Sequence, residues 1–211
     1  MLSQRHSQVS RRLGLFRIVA RRMLLAATFG LASCQTVSLP VYETSRDSLF
    51  HLQQQPRLKV AVGDFTGGPA RLADASREDI FLGCKLQRIE SSGSFAEPRM
   101  YLQNAFVKEL EAAGRYSEAT SELQIDGVLE RISLSREPLF GAVWDMQLRL
   151  VSSNGAEMLI DRSYKFDVGS FAGSTVCRRV VEAFFPAVRS LLEEAIVSPE
   201  FGVLMMNTQT R

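Results

Sequence analysis

The run from Trp144 to Phe166 constrains the fold more than any other part of this 211-residue chain. Apolar and polar side chains alternate on both sides of Asn154-Gly155, with the apolar positions at Trp144, Met146, Leu148, Leu150, Met158, Ile160, Tyr164 and Phe166. An Asn-Gly pair between two alternating runs predicts a β-hairpin, because both turn positions favour positive φ. Such a sheet has one apolar face and one polar face, so it needs a second layer on one side only.

Two helical patterns can supply that layer. The stretch from Val176 to Ile196 repeats apolar residues at helical spacing over a stripe wide enough to cover a sheet, and Pro186 is expected to kink or split it. An earlier helix is predicted to begin at Pro98 and to end before Gly114.

The remaining strand signals are shorter. Residues 58–65 alternate in part and end at Thr66-Gly67-Gly68-Pro69, which predicts a strand followed by a turn. Residues 123–135 predict another strand, and its apolar phase shifts near Gly127, where we expect a bulge. Residues 70–97 are ambiguous, although a period of two around Cys84 favours a strand.

These patterns together predict an α+β fold: a two-layer sandwich in which a mostly antiparallel sheet carries two helices on one face. We expect the domain to span residues 58–198 and a C-terminal tail to span residues 199–211. Residues 34–57 have little periodicity and several Gln, Ser and Pro residues, which is typical of a flexible tether.

The first 33 residues predict an export signal. A basic stretch ends at Arg21-Arg22, and an apolar run and small residues follow it up to Cys34. Leu31-Ala32-Ser33-Cys34 resembles the lipobox of bacterial lipoproteins at all four positions. The resemblance implies that residues 1–33 are a lipoprotein signal peptide, removed before Cys34, and that Cys34 carries the lipid.

Three alternatives stay open for this leader. It could be an ordinary secretory signal with an unmodified cysteine, it could use the twin-arginine route, or translation could start at Met23. By resemblance to the enterobacterial sorting rule, Gln35 implies transfer to the outer membrane, facing the periplasm. Acyl chains such as palmitate would then anchor the protein, with the inner membrane as the other possible location.

The net charge of +2 hides an uneven distribution. Residues 1–33 contain six arginines and no acidic residue, so the rest of the chain has 19 basic and 23 acidic residues, a net charge of −4. A mildly acidic domain lacks the basic surface on which binding to phosphate backbones depends. We therefore expect no nucleic-acid partner.

A lipid on Cys34 leaves two other cysteines, Cys84 and Cys177, in an oxidising compartment. Their pairing in a disulfide is the expectation, and two unpaired buried thiols are the alternative. The pair would close a loop of roughly 90 residues and constrain the unfolded chain by about 4 to 5 kcal/mol.

Val60-Ala61-Val62-Gly63-Asp64-Phe65, the helix from Phe106 to Gly114 and Gly127 in the next strand resemble TolB-amino-terminal-like domains of envelope lipoproteins. The likeness spans residues 58–198 and implies a partner-binding module. It transfers no binding residue to a particular position of this chain.

The sequence contains no recognisable catalytic, metal or cofactor site. His51 is the only histidine after residue 33, and it lies outside the expected domain, so a histidine-based triad or metal site is not expected. Asp64, with Asp126 or Asp145, is the best candidate for paired carboxylates, although a strand-end structural role is favoured. Arg178-Arg179 could bind an acidic partner, although a solvated helix face is favoured.

The sequence therefore predicts a membrane-anchored, noncatalytic envelope lipoprotein that binds another envelope component as an accessory of assembly, transport or cell-wall machinery. An oligomeric lipoprotein of the secretion-pore type and a lipid carrier are the alternatives.

Overall fold

A computed structural model describes residues 41–55, 57–68, 97–137, 141–169 and 173–206, with the backbone alone at 173–174. The elements follow in the order α1 (Arg46–Gln54), β1 (Val60–Gly67), α2 (Pro98–Ala112), β2 (Leu123–Glu137), β3 (Gly141–Ser152), β4 (Glu157–Asp167), α3 (Gly173–Val197) and α4 (Pro199–Leu204).

The four strands form one mixed sheet in the order β1-β2-β3-β4. β1 pairs parallel to β2, with Val60 opposite Leu123, while β2, β3 and β4 are antiparallel neighbours. A parallel pair needs a crossover connection, and α2 lies in that connection. The predicted α+β fold with a mostly antiparallel sheet is confirmed.

One face of the sheet and the helices α2 and α3 enclose the core. The inward side chains of β3 are almost completely buried: Ala142, Trp144, Met146, Leu148 and Leu150. The Trp144 ring meets the Phe184 ring of α3 edge-on, with centroids 5.5 Å apart, and its indole N–H donates to the Val180 carbonyl at 3.2 Å. The largest buried aromatic residue therefore also joins the two layers by a hydrogen bond.

The predicted helices and the hairpin are present with small differences. α2 begins at Pro98 and ends before Gly114, whose φ of +67° is one that glycine readily adopts. The hairpin turns at Asn154-Gly155, where Gly155 has φ +87°. Of the two outcomes expected at Pro186, a kink or a split, the split does not occur, because α3 continues through that residue.

The bulge in β2 lies elsewhere than predicted. Gly127 stays in phase with the inward residues Ile125 and Leu129, and the register against β3 shifts between Leu129 and Arg131. Gly127 is required for a different, steric reason: a Cβ there would lie 2.6 Å from the buried Phe65 ring. A glycine is needed because the neighbouring strand places an aromatic ring over its backbone.

The C-terminal segment packs onto the domain up to at least Met205. α4 begins after Ser198, whose side chain accepts a hydrogen bond from the Glu200 amide. Phe201, Leu204 and Met205 are completely buried. The hairpin turn holds the end of this segment, since the Asn154 side-chain amide donates to the Met206 carbonyl at 2.7 Å.

The expected tether is also corrected over much of its length. Residues 46–54 form α1, and Ser45 accepts hydrogen bonds from the Asp47 and Ser48 amides as its N-cap. Tyr42 is 6% exposed and Leu52 is 0% exposed. The segment from Tyr42 onward therefore belongs to the folded domain.

Several predictions fall on residues outside the described ranges. These are the lipidation site Cys34, Cys84, and the ambiguous region up to residue 96. Within the described ranges, no helix has both the length and the apolar character required to cross a bilayer.

Candidate functional site

The open face of the sheet, defined here as the side of β2, β3 and β4 turned away from α2 and α3, presents polar side chains in rows. Arg131, Gln147 and Asp161 stand opposite one another on the three strands. The Arg131 guanidinium donates to both Asp161 carboxylate oxygens, at 2.8 and 2.9 Å, and the Gln147 amide donates to the same carboxylate at 3.0 Å. This row crosses the centre of the open face.

Further ion pairs extend the polar rows on both sides. Arg149 donates to Glu130 at 2.8 Å and lies 3.7 Å from Glu157. Lys165 lies 3.3 Å from Glu137. These pairs leave each partner at least one-third exposed, so they contribute little stability, about 0 to 1 kcal/mol each. Their main effect is to fix charged groups in place at an accessible surface.

The structure does not bring together Asp64, Asp126 and Asp145, the carboxylates considered for catalysis. Asp126 lies over Gly63 and accepts a hydrogen bond from Gln124, whereas Asp145 accepts one from Ser163. Asp126 stands opposite Val151, six residues along β3 from Asp145, a separation of about 20 Å in an extended strand. Asp64 is exposed on β1 beyond Gly63.

Arg178 and Arg179 lie on the exposed side of α3, as both a solvated helix face and a binding site require. Both face Glu182, with nitrogen-to-oxygen distances of 3.7 and 3.9 Å. An acidic partner would have to compete with this carboxylate for their charge.

A buried carboxyl group, Glu109, joins the N-terminal segment to the core. It is 0% exposed and projects from α2. Its Oε1 accepts hydrogen bonds from the Tyr42 hydroxyl at 2.5 Å and the Ser45 amide at 2.9 Å. Ser45 in turn donates through its hydroxyl to Glu193 of α3 at 2.9 Å. The cluster therefore links three elements that are distant in sequence.

Burial raises the pKa of Glu109, because a charged carboxylate is poorly solvated inside the core. The hydrogen bonds from Tyr42 and Ser45 and the charge of Arg189 oppose that shift, and the Glu193 carboxylate adds to it. Glu109 Oε2 has no hydrogen-bond partner in the described part of the chain. That oxygen can carry the proton of a neutral carboxyl group.

Arg115 holds the other end of α1. It is 7% exposed and follows α2 in the chain. Its guanidinium donates to the carbonyls of Leu52, Gln53 and Gln55, at 3.1, 3.2 and 2.7 Å. A cation at the C-terminal carbonyls of a helix satisfies groups that have no partner within that helix. We call Glu109 and Arg115 the clasp of α1.

The clasp was not predicted from the sequence, although one signal was readable. Glu109 lies three residues after Phe106 on the apolar stripe of α2, so helical spacing places a carboxylate among core residues. A charged residue on a buried face needs partners. Those partners come from residues 42–45, which the low periodicity of the region assigned to the tether.

Cys177 is completely buried at the start of α3. Cys84 lies outside the described residues, so the pairing of these two cysteines stays a prediction. Within the described ranges, no group of three or more His, Cys, Asp or Glu side chains is placed to hold a metal ion.

The fold and these sites define an α+β domain with an open polar sheet face and a clasped N-terminal helix. No protein-family model matches the chain, and no curated protein matches it. Among solved structures, it is similar to protein XCC0632 from Xanthomonas campestris, described as DUF330, with a TM-score of 0.48 and 11% identity over 77% of this chain and 95% of that one.

Two other solved structures are more weakly similar. A PelC dodecamer from Paraburkholderia phytofirmans has a TM-score of 0.29 and 13% identity, covering 72% of this chain and 98% of that one. Lipoprotein GNA1162 from Neisseria meningitidis has a TM-score of 0.23 and 12% identity, covering 56% and 90%. Similarity at these TM-scores supports no conclusion about function or assembly.

Proposed function

We propose that this chain is a lipid-anchored, noncatalytic lipoprotein of the cell envelope that binds another envelope protein through the open face of its sheet. The lipobox residues Leu31 to Cys34 support the anchor. The observation that carries the binding role is the row of Arg131, Gln147 and Asp161, whose charged members stay about half exposed, at 48% and 51%, while they hold each other in place.

A fixed polar surface of this kind suits recognition of a protein with a complementary charge pattern. Charged groups that are held in place before binding lose less freedom when the partner arrives. Complementary charges across an interface also contribute to specificity and to the rate of encounter. The partner expected here is a polar protein surface at the membrane that carries the anchor.

Site-specific photo-crosslinking in cells tests the proposal. A photoreactive amino acid replaces Gln147 on the open face or, as the control, Arg179 on the exposed side of α3. We expect one envelope protein to be captured from position 147 and not from 179, and expect Cys34→Ala to reduce the yield. Capture of lipid alone, of further copies of this chain alone, or of nothing would overturn the proposal.

A charge-swapped pair separates binding from stability. Arg131→Asp should weaken capture, and the double variant Arg131→Asp with Asp161→Arg restores the internal pair in reverse order. We expect the double variant to unfold like the parent, within about 1 kcal/mol, and still to lose the partner. Capture at the parental level in the double variant would show that the partner does not contact this row.

A further inference from the structure

Exposed apolar side chains are unevenly distributed over the described residues. Six large ones are exposed: Val41, Phe50, Leu159, Val197, Val203 and Met206. Five belong to the N-terminal segment and to the ends of the C-terminal helices, and only Leu159 belongs to the sheet. Single exposed apolar residues are common, so their position relative to the anchor decides what they mean.

Phe50 has the most informative position. It is 60% exposed on the outer side of α1, whose inner side buries Ser48 and Leu52. Its ring packs edge-on against His51, with centroids 5.7 Å apart, and makes no other ring contact among the described residues. Val41 is 69% exposed in the same segment.

The clasp leaves only a short tether between the lipid-bearing Cys34 and the folded domain. Because Tyr42 and Ser45 are bonded to Glu109, the chain cannot extend from residue 42 onward. Six residues lie between Cys34 and Val41, and the seven Cα-to-Cα steps can span at most about 25 Å. A domain of this size has a radius of gyration of about 15 Å, so the tether is shorter than the domain is wide.

We propose that the outer side of α1, with Phe50, rests on the bilayer that holds the acyl chains of Cys34; the exposed Val41 lies in the chain between that anchor and α1. The inference depends on the lipid anchor of the proposed function. Residues 41–55 contain one arginine and two acidic residues, so attraction to anionic lipid does not drive the contact. Insertion of the apolar side chains into the headgroup region drives it instead.

Fluorescence quenching in vesicles tests the inference. The full-length lipidated protein carries either Phe50→Trp or, as a matched control, Leu159→Trp, and is reconstituted in phosphatidylethanolamine and phosphatidylcholine vesicles with brominated acyl chains. The native Trp144 is completely buried and is common to both variants. Both substituted positions are exposed, so neither variant should disturb the fold.

We expect the emission of F50W to be roughly halved by brominated lipid, since interfacial side chains reach about 5–10 Å into the bilayer surface. L159W should instead be quenched by aqueous iodide, and adding anionic lipid should change neither result. Equal iodide quenching of both variants would overturn the inference. So would protection of F50W from both quenchers, because a protein would then cover α1.

Vesicle flotation distinguishes the two possible failures. If the parent protein floats with the vesicles, Cys34→Ala does not, and the tryptophan of F50W is still quenched by iodide, the anchor stands and only the placement of α1 is wrong. If neither floats, the anchor of the proposed function fails, and the inference fails with it.

Discussion

Glu109 is a titratable side chain buried in the core, where a carboxyl group must be either neutral or fully hydrogen-bonded. Its Oε1 receives two hydrogen bonds, while its Oε2 has no partner among the described residues. A neutral carboxyl group meets these conditions with less desolvation cost than a carboxylate. The side chain therefore couples the docking of the N-terminal segment to proton binding.

The pH dependence of stability should reveal this coupling. The folded protein holds the Glu109 proton more tightly than the unfolded chain, because burial raises the pKa in the folded state. The stabilising contribution is thus present below the ordinary Glu pKa and is lost as pH rises through the raised value. Glu109→Gln removes the titration, so its stability should fall less over this range.

Urea unfolding of the parent and of E109Q, between about pH 4 and pH 8, measures this difference. Glu109→Ala is the companion variant and should cost about 2 kcal/mol or more, since it leaves the Tyr42 hydroxyl and the Ser45 amide without their acceptor. Identical pH profiles for the parent and E109Q would refute the assignment.

Gly127 provides a second test with single residues. Gly127→Ala should destabilise the protein by about 1 to 3 kcal/mol, because the new methyl group meets the buried Phe65 ring. In the background of Phe65→Ala, the same change should cost far less. Thermal unfolding of the four proteins gives the coupling free energy, and a coupling near zero would mean that the ring does not require the glycine.

At the scale of helices and strands, whether an element could be predicted from the sequence depends on what stabilises it. α2, α3 and the β3-β4 hairpin bury broad apolar faces, so their spacing was visible in the sequence. α1 buries only Ser48 and Leu52 from within the helix and depends on Glu109 and Arg115, which are more than 50 residues away. The spacing of apolar residues along the chain does not reveal contacts between residues so far apart in sequence.

The position of the bulge in β2 and the burial of α4 could not be predicted for a similar reason. The sequence shows that the alternation of inward and outward residues changes phase in β2. It does not show at which residue, because a glycine at position 127 fits either face of the strand. The tail from residue 199 is too short for a periodic signal, and its burial depends on the partner surface. The open face was predicted as polar, but its ion pairs depend on the register of three strands.

The clasp of α1 can be tested as a unit through Arg115. Arg115→Met keeps much of the side-chain volume and removes the donors to three carbonyls. We expect a loss of about 2 kcal/mol and faster amide exchange in α1 than elsewhere. Hydrogen exchange read by mass spectrometry measures it, with Arg99→Met, which removes an exposed ion pair, as the control. Uniform acceleration across the domain would contradict a local role.

For the whole molecule, the predicted disulfide between Cys177 and Cys84 is the covalent constraint to test. If the two are bonded, reduction opens a loop of roughly 90 residues and should lower the free energy of unfolding by about 4 to 5 kcal/mol. Non-reducing peptide mapping identifies the partner, and urea unfolding with and without dithiothreitol measures the change. Alkylation of Cys84 without prior reduction would exclude this pairing.

The hydrogen bond between Ser45 and Glu193 joins residues 148 positions apart. Ribosomes make the N-terminal segment first. Glu109 and Arg115 can hold it once they have been made, but its bond to Glu193 forms only after nearly all of the chain has been made. Likewise, α2 can cover part of the sheet early, but the cover is incomplete until α3 has been made. The order of synthesis therefore delays completion of the folded domain until α3 has been made.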